Sequence, residues 1–555
     1  MRRDDRVQKL NFSDEFLLDS AERRFQSGDF LGALTMLNKR AGMYAPTADA
    51  SALYADVYEE MGLWPLAADS WFRFLDTCNE ADFGEGYEGL AIAFMNMGND
   101  VQSALYYHRT YTENGTFSEG IREQLAEALE DWKKPNLRIV HSEAGDSDPE
   151  ALQRGFLLLR TGEVEAAREE LSAISPTNKE YPSAAGLAAM CTLMLGEEER
   201  AAKECEELLR DYPDNVQALT TYCAVLGATG DKAKAQEVAK RLNKLPVNGV
   251  DDLYRVATAL CETELDEEAY HRLVELSREL PYDNNVLWFR AVAAYRSNRL
   301  EEAIEALERL TTIYPRKAVA EYYLERMREQ RDGGESFNMT YFYRMPQDEY
   351  RTIADFLLAA NAAGEEEAAQ LAQLPRLHEF FRIAFDELEG RDEKLQLLAI
   401  KVAVKCRADD FLREILLDYE GDDTVKLTAL HELVLRNEEN SFGTVVYALY
   451  KEFFTHEIKV GPRKRVPFMK AFADVYAKYA LLSEDNEGKL CAAAEDVYES
   501  LCEAEAWEYF EERPALAAAI YREARLKGGE RELSEIAALF NAKEFKVKEI
   551  LDYMM

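Results

Sequence analysis

Eight small residues recur through the first three hundred positions of the chain: Ala21, Ala55, Ala91, Gly155, Ala189, Cys223, Ala257 and Ala291, most of them 34 residues apart. Seven residues after each stands a turn residue: Gly28, Gly62, Gly98, Gly162, Gly196, Gly230, Glu264 or Asn298. Five or six beyond that comes a second alanine, at 33, 67, 104, 167, 201, 235, 269 and 303. Two antiparallel helices approach to about 8 Å only where the side chain at the crossing is small. One small residue per helix at a fixed offset from a turn therefore predicts a stack of tight helical hairpins.

Prolines close the units. Pro213, Pro281 and Pro315 follow their second alanine by 12 residues and Pro246 follows by 11. Each ends a helix by removing an amide donor and restricting the residue before it. This order of small residue, turn, alanine and proline, as in Asn298-Arg-Leu-Glu-Glu-Ala303 through Tyr314-Pro315, resembles the tetratricopeptide repeat family over about residues 14–317. It departs from the family at the first-helix tryptophan, since only Trp288 lies near that place. The resemblance implies an all-α solenoid that binds other macromolecules without catalysing a reaction. It does not say which partner is bound.

With 47% hydrophobic and 31% charged residues among 555, the chain can bury a long core. The start, Met1-Arg-Arg-Asp-Asp-Arg, has no apolar stretch behind it, and no window approaches 18 uninterrupted apolar residues. Neither an export signal nor a membrane span is expected, and the expected location is cytoplasmic. Eight cysteines without a C-x-x-C pair, among them Cys191, Cys205, Cys223 and Cys261, read as small apolar core residues rather than disulfide partners or metal ligands. A net charge of −39 opposes binding to nucleic acid and anionic membranes and favours encounter with basic partners, although solvated outer faces account for such charge equally well.

Motifs for catalysis are missing. The sequence has no Walker loop, no G-x-S-x-G and no H-E-x-x-H, and His431-Glu432 lacks its second histidine. Gly84-Glu-Gly86-Tyr-Glu-Gly89 matches G-x-G-x-x-G, but no strand precedes it and it opens the first helix of the third repeat, which disfavours a dinucleotide site. No cofactor and no metal is expected.

Three repeats occupy 14–117 and five more 148–317. Between them, 118–147 reads as an amphipathic helix and an extended linker, with Asp148 as the next N-cap. Residues 318–346 read as a linker broken at Asp332-Gly-Gly-Glu, and the aromatics after that break, Phe337, Tyr341, Phe342 and Tyr343, with Pro346, are expected to dock on the last repeat. From 347 to 510 the apolar spacing stays helical while the 34-residue period stops. Asp392–Leu417 and Asp423–Phe454 each read as a helix pair that resembles a HEAT-type repeat. The final segment, 513–555, resembles the helix-turn-helix modules of bacterial regulators, from Leu533-Ser-Glu-Ile-Ala537 through Phe540, Asn541, Val547 and Ile550. Its Lys546 and Lys548 are offset by Glu544, Glu549 and Asp552, which disfavours DNA.

In the family, the first helix of each hairpin lines a concave groove. Carried over by counting from each turn, that face holds Asp56, Glu59, Glu60 and Glu88, beside Glu15, Glu22, Asp49 and Glu85, in the first three repeats. The later repeats place Phe156, Met190, Tyr254, Trp288, Val292 and Tyr295 there, beside Leu152, Leu159 and Leu193. The groove is expected to hold a protein or peptide partner, basic toward its acidic half and apolar toward Trp288 and Tyr295, unless the protein's own helices fill it. A basic run at Lys459, Arg463, Lys464, Arg465 and Lys470, on a loop set by Gly461-Pro462 and Pro467, reads as a solvated loop, a clasp on an acidic surface or a phosphate contact. The alternative function is a transcription regulator in which Arg463, Lys464, Arg465, Lys546 and Lys548 touch nucleic acid.

Overall fold

The computed structural model describes residues 13–114, 150–160, 164–247, 249–371, 373–386, 393–436, 440–454, 487–525, 533–540 and 542–554, with parts of a helix between 468 and 479. Among the described residues the fold is all-α apart from one β-hairpin. Its contacts divide into two compact units, one of residues 1–140, 346–385 and 391–555, the other of 141–345 and 386–390.

In the first unit three helical hairpins come first: α1 (Asp14–Gln26) with α2 (Phe30–Ala41), α3 (Ala48–Glu60) with α4 (Trp64–Thr77), and α5 (Phe83–Asn96) with α6 (Asp100–Asn114). The second unit continues with α7 (Glu150–Arg160), α8 (Val164–Ser172), α9 (Tyr181–Met194), α10 (Glu198–Asp211), α11 (Val216–Ala228), α12 (Lys232–Leu242), α13 (Val250–Glu262), α14 (Asp266–Glu279), α15 (Asn284–Arg296), α16 (Leu300–Ile313) and α17 (Ala318–Arg331). All sixteen small positions of the ladder are buried, among them Ala21, Ala33, Ala291 and Ala303 with no exposed surface.

The turns behave as their spacing requires. Gly62 has φ +71°, and Glu264 and Asn298, which stand where other repeats have glycine, are forced to +56° and +59°. That conformation lets the next amide reach back over the helix end, Leu63 to the Tyr58 carbonyl at 2.8 Å and Arg299 to Ala294 at 2.8 Å, satisfying carbonyls that a helix end otherwise leaves open. Some helix starts are capped by a side chain, Asn215 accepting the Ala218 amide at 2.7 Å and Asp283 that of Val286 at 2.8 Å.

Arginines then tie one hairpin of the second unit to the next. Arg168 meets Glu197 at 2.7 Å, Arg241 donates to the Pro213 carbonyl at 2.6 Å, Arg272 grips the side chain and carbonyl of Asn243 at 2.8 and 2.7 Å, and Arg296 meets Asp266 at 3.0 Å.

The remainder of the first unit is α18 (Gln347–Ala362), α19 (Glu365–Leu371), α20 (Pro375–Asp386, its last residue falling in the second unit), α21 (Glu393–Lys405), α22 (Asp409–Leu417), α23 (Asp423–Leu435), β1 (Ser441–Val446), β2 (Leu449–Phe454), α24 (Glu487–Glu503), α25 (Arg513–Arg525), α26 (Leu533–Leu539) and α27 (Glu544–Asp552). The expected second helix before Phe454 is corrected here. Residues 441–454 form an antiparallel hairpin with Val446 opposite Leu449. Its turn residues Tyr447 and Ala448 both have positive φ, +54° and +60°, the geometry that matches strand twist in a two-residue turn. β-Branched Thr444, Val445 and Val446 favour the strand, but Asn-Gly, the usual signal of such a turn, is absent.

The hairpin and the turn before α23 dock on α4, α5 and α6 of the early repeats. Tyr419 inserts its ring between Phe72 and Phe94, with centroids 6.0 and 5.5 Å away, and its amide donates to Asp69 at 3.2 Å. Tyr106 donates to the Ala448 carbonyl at 2.7 Å and Tyr450 to Asp76 at 3.3 Å. Lys426, 1% exposed, donates to the Val445 carbonyl at 2.7 Å and pairs with Asp423 at 3.3 Å.

Cys191, Cys205, Cys223, Cys261 and Cys406 are buried, but Cys491 is exposed, so not every cysteine is a core residue. Among the described residues no cluster of His, Cys, Asp and Glu is placed to hold a metal ion, and no helix is long and apolar enough to cross a membrane. The expected helix, linker and cap within 118–148, and Gly162, lie outside the described residues.

Candidate interaction surfaces

Five carboxylates gather on α3 and α5 in the first unit. Asp56, Glu59 and Glu88 are half-buried, while Glu60 and Glu85 are exposed. Among the described residues no ion pair reaches any of the five, although the chain forms many elsewhere. The indole N–H of Trp71 donates to Glu59 at 2.7 Å. Partial burial raises the Asp56 carboxyl above its ordinary range, and the charges of Glu85 and Glu60 raise it further. Burial raises Glu88 too, with Glu85 adding to it, and raises Glu59 against the opposing bond from Trp71. The surface is thus a patch of uncompensated negative charge that a cation would relieve.

The glycine motif at 84–89 sits on the same helix and serves packing. A Cβ on Gly89 would lie inside the indole of Trp71, and one on Gly86 would press on Leu75 and Phe74. These two positions let α5 close on α4.

In the second unit the aromatic end of the expected groove is occupied by the chain itself. Residues 335–345 run without helix or strand across α13, α15 and α17, bending at Tyr341–Phe342, with Met339, Tyr343 and Met345 buried and Phe337 and Tyr341 half-buried at alternate positions. Trp288 is 2% and Val292 0% exposed. The Trp288 indole donates to the Tyr341 carbonyl at 2.9 Å and packs edge-on against Tyr343, 4.7 Å between centroids. Tyr295 stacks on Phe337 at 4.7 Å. Tyr341 donates to Asp266 at 2.8 Å, and Tyr343 donates at 2.6 Å to Asp386, whose other oxygen lies 3.3 Å from Lys317. Burial raises the Asp386 carboxyl, opposed by Lys317 and the Tyr343 bond.

The aromatic segment therefore docks, and reaches further into the repeats than the last one alone. Trp288 and Val292 are correspondingly closed to a partner: the expectation that they are open anchors is corrected, because Tyr341 and Tyr343 cover Trp288 and Val292 is fully buried. Phe342 is the aromatic of the segment that does not dock, being 57% exposed. Phe156 remains 40% exposed, and Met190 and Tyr254 are half-buried. The alternation of Phe337, Met339, Tyr341, Tyr343 and Met345 was present in the sequence, masked by Phe342 at an outward position.

In the terminal bundle α25 is buried along most of its length, packed on α24 and α27. Val547 and Ile550 of α27 face that core. Lys546 is engaged by Glu512 at 3.4 Å and Glu549 at 3.6 Å, and lies over the Tyr509 ring. Lys548 is exposed. A lysine already neutralised by two carboxylates contributes little to phosphate binding. Arg463, Lys464 and Arg465, and Asn541, lie outside the described residues.

The tetratricopeptide repeat family model matches residues 267–318, which span α14 from its second residue, α15, α16 and the start of α17. Residues 267–318 carry tetratricopeptide repeat sequence. No curated protein matches it. Among solved structures it is similar to the P58(IPK) TPR domain, at 16% identity over 58% of this chain and 99% of that one, with a TM-score of 0.24. It is also similar to the TPR2AB domain in the pHSP90 complex of yeast Sti1, at 15% identity over 47% and 98%, TM-score 0.20. A third is YrrB, described as a TPR protein with an unusual peptide-binding site, at 16% identity over 36% and 97%, TM-score 0.25.

Proposed function

We propose that the protein is a non-enzymatic interaction scaffold that holds a basic segment of a partner protein along the carboxylate face of α3 and α5. The tetratricopeptide match supports a role in protein contact, since such hairpin stacks present extended binding surfaces. The observation that carries the partner's chemistry is the set of Asp56, Glu59, Glu60, Glu85 and Glu88. Three of them have carboxyl groups raised by partial burial and by their neighbours, with no cation among the described residues to offset the charge. Lysine or arginine side chains would supply that cation, and the net charge of −39 would speed their approach.

Fluorescence anisotropy with a labelled lysine- and arginine-rich peptide tests the reading. The variant combining Asp56→Asn, Glu60→Gln and Glu88→Gln should bind about tenfold more weakly, as the loss of three partly exposed ion pairs implies. Raising salt above physiological strength, where exposed charges are screened over about 8 Å, should weaken the intact protein but barely affect the variant. Equal affinity of the two proteins at low salt would refute the assignment.

A further inference from the structure

We propose that Phe337–Met345 is an internal ligand, occupying the groove of α13, α15 and α17 in place of an extended partner segment that carries large apolar side chains at alternate positions. The proposal rests on the scaffold reading but concerns the other compact unit and an apolar rather than basic ligand, so the two stand or fall on different measurements.

The groove recognises this segment as it would a bound peptide, through the main chain. The Tyr295 hydroxyl lies 3.0 Å from both the amide nitrogen and the carbonyl oxygen of Phe337. The Trp288 indole donates to the Tyr341 carbonyl at 2.9 Å, and the Tyr323 hydroxyl to that of Arg344 at 3.1 Å. Any extended peptide offers those groups, so the bonds do not depend on which residues supply them. Specificity comes instead from the period-two pattern, with Phe337, Met339, Tyr341, Tyr343 and Met345 turned inward and Asn338, Phe342 and Arg344 outward.

The helices beneath do not need the segment to pair. α15 and α16 close on each other through Ala291 and Ala303, both fully buried in the ladder common to every repeat. Ahead of the segment, residues 331–336 are all exposed and Gly333, followed by Gly334, adopts φ +104°, giving it a pivot that few residues other than glycine accept. Departure would bare Trp288, so the open state is only briefly visited unless an equivalent chain takes the segment's place. The contact is therefore competitive: a partner must displace it, and weakening it should tighten partner binding.

The test uses the full chain and a fluorescein-labelled synthetic peptide of residues 335–346. In the variant Phe337→Ser/Met339→Ser/Tyr341→Ser, with helicity and melting checked, the peptide should bind about tenfold or more tightly than to the unaltered protein, because the occupied fraction of the groove no longer discounts its affinity. Adding Trp288→Ala should remove that gain. A folded variant that binds the peptide no better than the unaltered protein overturns the proposal. Should the variant not fold, hydrogen exchange of the unaltered protein decides: amides of 337–345 exchanging ahead of α15 and α16 support a displaceable ligand, and exchange only together with those helices overturns it.

Discussion

Gly89 lies so close beneath the indole of Trp71 that a single added carbon would fall within the ring. The same indole donates to Glu59, so one tryptophan links the packing of α4 on α5 to the carboxylate face. Gly89→Ala should destabilise the protein by about 1–3 kcal/mol, the usual cost of overpacking a closed core, and should displace Trp71. Urea denaturation followed by tryptophan fluorescence measures both, and an unchanged midpoint would show that the contact can relax.

The turn residues give a change of opposite sign. Glu264 is held at φ +56° where most repeats place glycine. Its ion pairs, to Lys232 at 3.9 Å and Arg296 at 3.6 Å, are long and half-exposed and offset little. Glu264→Gly should therefore stabilise by about 1 kcal/mol, while Gly62→Ala should cost about as much. Paired denaturation curves check the contrast, and a loss of stability in Glu264→Gly would mean the side chain does more than its contacts indicate.

Stability and pH are linked through the carboxylate face. The carboxyls of Asp56 and Glu88 are raised in the folded state, so between the ordinary carboxylate range and their folded values the native protein binds more protons than the unfolded chain. Their contribution to stability accordingly falls as pH rises through that window. Asp56→Asn with Glu88→Gln should raise the melting temperature at neutral pH, and the advantage should shrink as pH falls to the ordinary carboxylate range. Melting scans across that interval test it; a gain independent of pH would point to a cause other than charge.

Lys426 is the buried cation that fastens the hairpin, reaching Val445 and Asp423. Lys426→Met keeps the aliphatic stem but strands the buried Val445 carbonyl, at a cost of about 1–3 kcal/mol. Protease cleavage should then appear first within 441–454. Cleavage that begins among the early helices instead would contradict this order.

The sequence carried the repeat architecture plainly because close packing repeats. A small residue at each helix crossing and a left-handed residue at each turn are local requirements, and Ala21 through Ala303 meet them at nearly constant spacing. What covers the groove is a long-range matter. Trp288 looks like an open anchor when read on its own helix, and only the fold brings Tyr341, 53 residues later in the chain, to its indole. The hairpin was hidden for a different reason: Tyr447-Ala448 makes a glycine-type turn without glycine, so nothing local announced it. Glu59 and Glu88 could be placed on one face by counting, but their raised carboxyls depend on burial, which no spacing reveals.

The arginine ties between successive hairpins also have a mechanical meaning. Each spans 28 to 30 residues and so joins a hairpin only to its immediate neighbour. Load applied along such a series is borne link by link, and the weakest link opens without loosening those beyond it. Around α15 and α17 the extended segment laces several helices together at once. The second unit should therefore behave as a spring whose coils near α7 stretch and recoil while those around α15 stay rigid, an elasticity graded along its length.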